Sequence, residues 1–281
     1  MYASKGPVVE EWADRRFFRP AGWRVATALV TTRVSPDAVT LASLLLGVLA
    51  GHLCWYASPW INAGGVLLFV LSDVLDSADG QLARLRGTST RMGRILDGVA
   101  DSARFLSLYA HLGARLFVSG WGWSGVALAL AAMISHAYQA AAADFIRQSY
   151  LFFAVRKGSE LDLPEQVPPS RHSFWERVAD WLYRDYIRRQ SWLFPRTIAL
   201  ARTLAGQTVP WTLSRRWAER QRRVVAGCAW IAQNIRFLLL AVTVVPGWPA
   251  AYCWIVIGPL NLVLLRLILA HERDTKIHAL A

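Results

Sequence analysis

Ser72–Asp101 reads SDVLDSADGQLARLRGTSTRMGRILDGVAD and lies between long apolar segments. Five aspartates fall in this stretch: Asp73, Asp76, Asp79, Asp97 and Asp101. Carboxylates at the border of an apolar run are costly to place in a bilayer, so they mark function. Asp76 and Asp79 are three apart, and Asp97 and Asp101 four apart, so each pair projects from one face of a helix. Two such helices in contact bring four carboxylates into one small volume. Like charges that close repel and raise each other's pKa. A hard divalent cation relieves the repulsion, and oxygen-rich side chains suit Mg²⁺, Mn²⁺ or Ca²⁺. Asp73, one turn before Asp76, reads as a cavity-lining or water-bonded residue.

The rest of the chain sets this stretch in a membrane. The chain has 281 residues, 54% of them hydrophobic and only 18% charged, with a formal net charge of +12. A soluble domain of this size would carry more charge. A basic chain can bind nucleic acid or an anionic membrane surface. No nucleic-acid-binding module is recognisable, and the apolar runs are long enough to cross a bilayer. The N-terminus is charged and lacks an apolar core with a small-residue cleavage site, so the first span is expected to act as its own insertion signal. Cys54, Cys228 and Cys253 have neither metal nor disulfide spacing and read as small buried hydrophobes. Trp55, Trp60, Trp121, Trp123 and Trp248 sit at the ends of apolar runs, as an interfacial belt requires.

The sequence predicts an all-α membrane protein with six transmembrane helices. Residues 1–34 read as an N-terminal interfacial amphipathic segment, with Arg15, Arg16, Arg19 and Arg24 near headgroup phosphates. Residues 35–155 hold spans one to four and the aspartate stretch. Ser35, Pro36 and Asp37 give the first span a cap, a first-turn proline and an acidic first turn. Residues 156–222 form a basic, Arg-rich cytosolic insertion with aromatic amphipathic sections. Residues 223–281 carry spans five and six and a tail. The turns at 55–62, 119–125 and 246–250 contain no Lys or Arg. The positive-inside rule therefore puts both termini, the 84–94 linker and the insertion in the cytosol, and with them the aspartates.

From Asp76 the residues run D-S-A-D-G-Q-L-A-R, then eight residues, then G-R-I-L-D-G-V-A-D. This resembles the signature of the CDP-alcohol phosphotransferase (phosphatidyltransferase) family, D-x2-D-G-x2-A-R-x8-G-x3-D-x3-D. Asp76, Asp79, Gly80, Ala83, Arg84, Gly93, Asp97 and Asp101 fill every specified position. A chance match at a given start is on the order of 10⁻¹⁰. The resemblance extends to the N-terminal amphipathic helix, the S-P-x3-T entry to span one and the six spans. Residues 156–222 fall outside it.

The resemblance implies transfer of a substituted phosphoryl group from a CDP-alcohol to an acceptor hydroxyl, with release of CMP, in phospholipid synthesis. It implies that Asp76, Asp79, Asp97 and Asp101 hold two Mg²⁺ or Mn²⁺ ions and that Asp101 is also the general base. Asp79, Gly80, Ala83, Arg84 and Gly93 would bind the CDP-alcohol. Small residues let a nucleotide approach the helices, and an arginine fork pairs with phosphate oxygens. Arg94, Arg104, Asp144 and Arg147 are further candidates for acceptor or phosphate contacts; snorkelling or structural pairing explains them equally well. His111 and His136 read as core histidines, and Thr40 as a helix-packing hydroxyl. Members using phosphorylated polyol acceptors commonly carry Lys or Arg after the last aspartate, where this chain has Ser102. A lipid donor with a polar acceptor and a soluble donor with a lipid acceptor both stay open. The resemblance also favours a homodimer. A transporter would need charges near mid-bilayer and broken spans in related halves. A silent scaffold would show a broken signature.

Overall fold

The structure, a computed structural model, describes residues 8–88, 91–155, 161, 174–204 and 207–279, without the side chains of 91–97, 174–176, 179 and 276–279. Among the described residues the regular secondary structure is helical. In chain order the helices are α1 (Arg19–Leu29), α2 (Pro36–Leu53), α3 (Pro59–Arg86), α4 (Arg91–Leu116), α5 (Gly122–Phe153), α6 (Phe174–Leu193), α7 (Pro195–Thr203), α8 (Trp211–Gly227), α9 (Gln233–Thr243), α10 (Pro249–Ile257) and α11 (Pro259–Ala279).

Among the described residues five segments are long and apolar enough to cross a membrane: Pro36–Leu53, Pro59–Arg86, Gly98–Phe153, Trp211–Thr243 and Pro249–Thr275. The chain is a multi-pass integral membrane protein. The third segment runs for 56 residues and contains two helices, α4 and α5. They part at Gly120 (φ 95°) and Gly122 (φ 55°), a conformation that glycine adopts without Cβ strain. In the last segment the sequence predicts one continuous span, but α10 ends at Ile257 and α11 starts at Pro259. Proline cannot donate its backbone hydrogen bond and clashes with the preceding turn.

Helix α2 shows how a membrane core is built. The Ser35 hydroxyl accepts the Ala38 N–H at 3.1 Å, with Pro36 in the first turn, as the sequence predicts. Its outer face carries Leu41, Leu45 (61% exposed), Val48 and Leu49. Its inner face carries Val39, Thr40, Ser43, Gly47, Ala50 and Gly51, all buried. Lipid is as apolar as leucine, so burying leucine gains little there. Close backbone approach and interhelical hydrogen bonds hold the helices instead.

The chain divides into two compact units. Among described residues the first comprises 10–135 and 234–257, the second 8–9, 136–233 and 258–279. In the first, α2 packs on α3 and α4, and α1 packs on α3. Ala26, Val39, Ala78 and Leu82 form a buried cluster there. Gly22 lies so close to α3 that a Cβ would sit 2.8 Å from the Ser77 hydroxyl. Phe237 stacks on Phe69 at 6.0 Å. Gly51 is pressed against α4, where a Cβ would come within 2.7 Å of the Leu108 nitrogen. In the second unit, Phe145 stacks on Phe194 at 4.6 Å. Buried His271 meets the Gln221 side-chain oxygen at 2.7 Å. The Glu272 carboxylate accepts the N–H groups of Arg196 (2.8 Å) and Thr197 (3.1 Å), capping the first turn of α7.

Candidate active site

The aspartate stretch spans the last turns of α3, a short linker and the first turns of α4. Helix α3 stops at Gly87, whose φ of 66° is left-handed. The Thr88 N–H then bonds the Ala83 carbonyl at 2.9 Å, and the Gly87 N–H bonds the Arg84 carbonyl. This is a glycine helix stop. Arg86 fixes the helix end from the side. Its guanidinium donates to the carbonyls of Leu29 (2.6 Å), Thr32 (2.8 Å), Val34 (2.5 Å) and Val30 (3.3 Å). The last residues of α1 and the α1–α2 linker are thereby tied to the signature helix.

Asp79 is buried at 7% exposure, and its Oδ2 accepts the Thr40 hydroxyl at 2.5 Å. Asp76 and Asp101 are more open, with side chains 29% and 46% exposed. Both bond the Arg104 guanidinium: Asp76 at 3.0 Å, and Asp101 one turn before Arg104 on α4. Asp73 joins the same guanidinium at 3.3 Å. The structure thus brings Asp76, Asp101 and Arg104 together, with Asp73 beside them, and sets Asp79 against α2. Arg84 is exposed and folds back over Gly80, where a Cβ would lie 3.5 Å from its Nη1. Ala83 is half-buried one turn below Asp79 on the same helix. Gly93 and the backbones of Arg94 and Asp97 lie in α4; the side chains of Arg94 and Asp97 are outside the described residues.

Asp144 and Arg147 lie on α5 in the second unit. Asp144 accepts from the Tyr186 hydroxyl and, at 2.5 Å, from Gln148. Burial, reinforced by the Asp144 charge, pushes the Tyr186 phenol well above its usual range, so it stays a neutral donor. His111, in the first unit, meets His52 at 3.1 Å and the Ser107 carbonyl at 2.7 Å.

Two participants carry more than their sequence reading gives them. Thr40 bonds Asp79 directly, and the threonine of S-P-x3-T is the signal that marks it. Asp73 bonds Arg104, and the one-turn spacing from Asp76 is its trace in the sequence. Ser43, Ser72, Gly47 and Gly51 also matter; the G-x3-G at 47–51 is the readable sign of a close helix crossing.

Carboxylates are the donor set of a hard divalent ion. Asp76 and Asp101, from different helices, already share one cationic partner, so the site fits positive charge. Among the described residues no three potential ligands stand close enough to hold one metal. Asp97, whose side chain lies outside them, supplies the remaining signature carboxylate.

Residues 33–158, a little under half of the chain, match the model of the CDP-alcohol phosphatidyltransferase family. The chain is 32% identical over 117 residues to a phosphatidylinositol phosphate synthase of Mycobacteroides abscessus, covering 39% of this chain and 48% of that protein. It is 33% identical over 123 residues to the Cutibacterium acnes protein of the same name, covering 39% and 55%. A bifunctional IPC transferase and DIPP synthase of Thermococcus kodakarensis is 29% identical over 103 residues, 36% of this chain and 23% of that protein. The chain thus spans about half, or less, of the length of these relatives.

Proposed function

We propose that the protein transfers a substituted phosphoryl group from a CDP-alcohol to an acceptor hydroxyl and releases CMP, in phospholipid synthesis. The observation that carries this is the complete signature, set on two helices whose Asp76 and Asp101 converge on one cation. One substrate enters from the bilayer and the other from water. The name phosphatidylinositol phosphate synthase puts an inositol phosphate acceptor first in a substrate panel, and CDP-diacylglycerol is the CDP-alcohol donor that carries a phosphatidyl group. Ser102, standing after the last aspartate, keeps other acceptors in it.

In this reading Asp76, Asp79, Asp97 and Asp101 hold two Mg²⁺ or Mn²⁺ ions. When bound, the ions neutralise the carboxylates and the charge that builds on the transferring phosphoryl group. Asp101, the most exposed of the described signature carboxylates, takes the proton of the acceptor hydroxyl as its oxygen attacks the β-phosphorus of the donor. The bond from that phosphorus to the CMP oxygen breaks, and CMP leaves. Gly80, Ala83 and Gly93 leave room for the nucleotide, and Arg84 reaches its phosphates. Arg94, Asp144 and Arg147 are candidates for the acceptor side.

The same reading takes α4 and α5 as separate spans, six in all, with both termini and the active site on the cytosolic side. Residues 1–34 lie at the interface, 35–155 and 223–281 form the membrane domain, and 156–222 form a cytosolic insertion. The working form is a homodimer. The test is CMP release by purified protein in lipid with Mg²⁺ or Mn²⁺, across CDP-diacylglycerol, CDP-choline and CDP-ethanolamine with mixed acceptors. Release from one donor, absent in Asp101→Asn, establishes the reaction. No release and no metal-dependent nucleotide binding overturns it.

A further inference from the structure

Arg104 belongs to no signature, yet it is the most heavily bonded side chain at the site. It is 4% exposed. Its Nη1 donates to the hydroxyls of Ser72 (2.9 Å) and Ser43 (3.4 Å) and to Asp73 (3.3 Å). Its Nη2 bonds Asp76 at 3.0 Å and also reaches Asp101. The methylene stem crosses α2 at Gly47, where a Cβ would stand 2.2 Å from the Arg104 Cδ. Ser43 and Ser72 are themselves locked together, with Ser72 donating to the Ser43 carbonyl at 2.8 Å. The guanidinium is therefore seated in a built cradle from α2 and α3. One edge faces the cradle and the other faces two signature carboxylates.

A cation in that position has two opposite effects. It fixes Asp76 on α3 and Asp101 on α4 relative to each other, since a planar fork bonds both in set directions. It also opposes any divalent ion those carboxylates hold. Asp73, 3.3 Å from the same guanidinium, is placed to offset that charge from the cradle side.

We propose that Arg104 is a positioning residue for Asp76 and Asp101, and that Asp73 is its neutralising partner, so that the pair orders the carboxylates without displacing metal. The inference rests on the reading under Proposed function and gives two residues outside the signature a part in the reaction. A residue that contacts the acceptor would behave differently, which makes the assignment testable.

The experiment compares Arg104→Gln, Arg104→Lys, Asp73→Asn and Gly47→Ala with wild type in lipid nanodiscs. Two quantities are read: Mn²⁺ affinity by electron paramagnetic resonance, and CMP release at saturating donor and acceptor. Asp73→Asn leaves the Arg104 charge uncancelled, and Mn²⁺ affinity is expected to fall about tenfold. Arg104→Gln removes the opposing charge, so Mn²⁺ affinity holds or rises while kcat falls about 10²-fold, the scale of an ångström misplacement. Arg104→Lys restores charge without the fork and recovers only part of kcat. Gly47→Ala keeps every charge but pushes the Arg104 stem, and lowers kcat at unchanged Mn²⁺ affinity. An acceptor KM raised by Arg104→Gln with kcat intact would overturn the assignment, as would equal Mn²⁺ affinity in wild type and Asp73→Asn. If wild type binds Mn²⁺ but releases no CMP, the proposed reaction fails, and a lower Mn²⁺ affinity in Asp73→Asn than in Arg104→Gln still decides the brace.

Discussion

Thr40 on α2 donates its hydroxyl to Asp79 on α3 at 2.5 Å, and Asp79 is buried. A buried carboxylate stripped of its donor loses about 1–3 kcal/mol. Thr40→Val is therefore expected to lower thermal stability in detergent and to weaken Mn²⁺ binding. Thr40→Ser keeps the donor and stays near wild type in both. A Thr40→Val protein matching wild type in melting and in metal titration would remove the bond from any role.

Asp101→Asn tests the base. Asparagine keeps the shape and loses the proton acceptor, so CMP release should fall by at least about 10²-fold. Folding, followed by size-exclusion elution and melting, should stay close to wild type, because the Asp101 side chain is 46% exposed. Turnover within a few-fold of wild type would move the proton to another group.

Gly51 has no room for a side chain, since its Cβ would meet the Leu108 nitrogen and the Ser107 hydroxyl at 2.7 Å each. Gly51→Val must push α2 from α4, at a cost of about 1–3 kcal/mol. The check is the melting temperature and the yield of folded protein. Gly64 makes the control: its Cβ would approach only Leu53, at 4.0 Å, and Gly64→Ala is expected to be silent.

Arg86 bonds backbone carbonyls of residues 29, 30, 32 and 34. Arg86→Ala leaves them to find water and frees the linker. Limited proteolysis should then cut between residues 29 and 36 several-fold faster than in wild type. Arg86→Lys, with one compact donor group in place of a fork, should give an intermediate rate.

The helical class, the membrane setting and the spacing of Asp76, Asp79, Asp97 and Asp101 were legible because they are local. Hydropathy needs a window of residues, and the signature needs only 26 consecutive positions. The Ser35 cap and the Gly120–Gly122 break were legible for the same reason. The brace around Arg104 was not. Apart from Asp101, one turn before Arg104 on the same helix, it joins residues 28 to 61 positions from Arg104, from Asp76 back to Ser43, and no spacing rule links them before the helices pack. The bond between Thr40 and Asp79, 39 apart, was hidden likewise, although each residue stood in a readable motif. The break before Pro259 is different: the proline was visible, but an apolar run with a proline inside reads equally as one kinked span or two helices.

The two faces of α2 carry unequal constraints. Leu41, Leu45, Val48 and Leu49 lie on the exposed face of a segment apolar enough to cross a membrane, where an acyl-chain environment accepts any aliphatic shape, so sequence can drift there at little cost. Ser43, Gly47 and Gly51 meet a neighbouring helix within van der Waals distance, and even one added methyl intrudes. Exhaustive substitution of this helix would show tolerance where the residues are largest and intolerance where they are smallest. That is the reverse of the map a water-soluble helix gives.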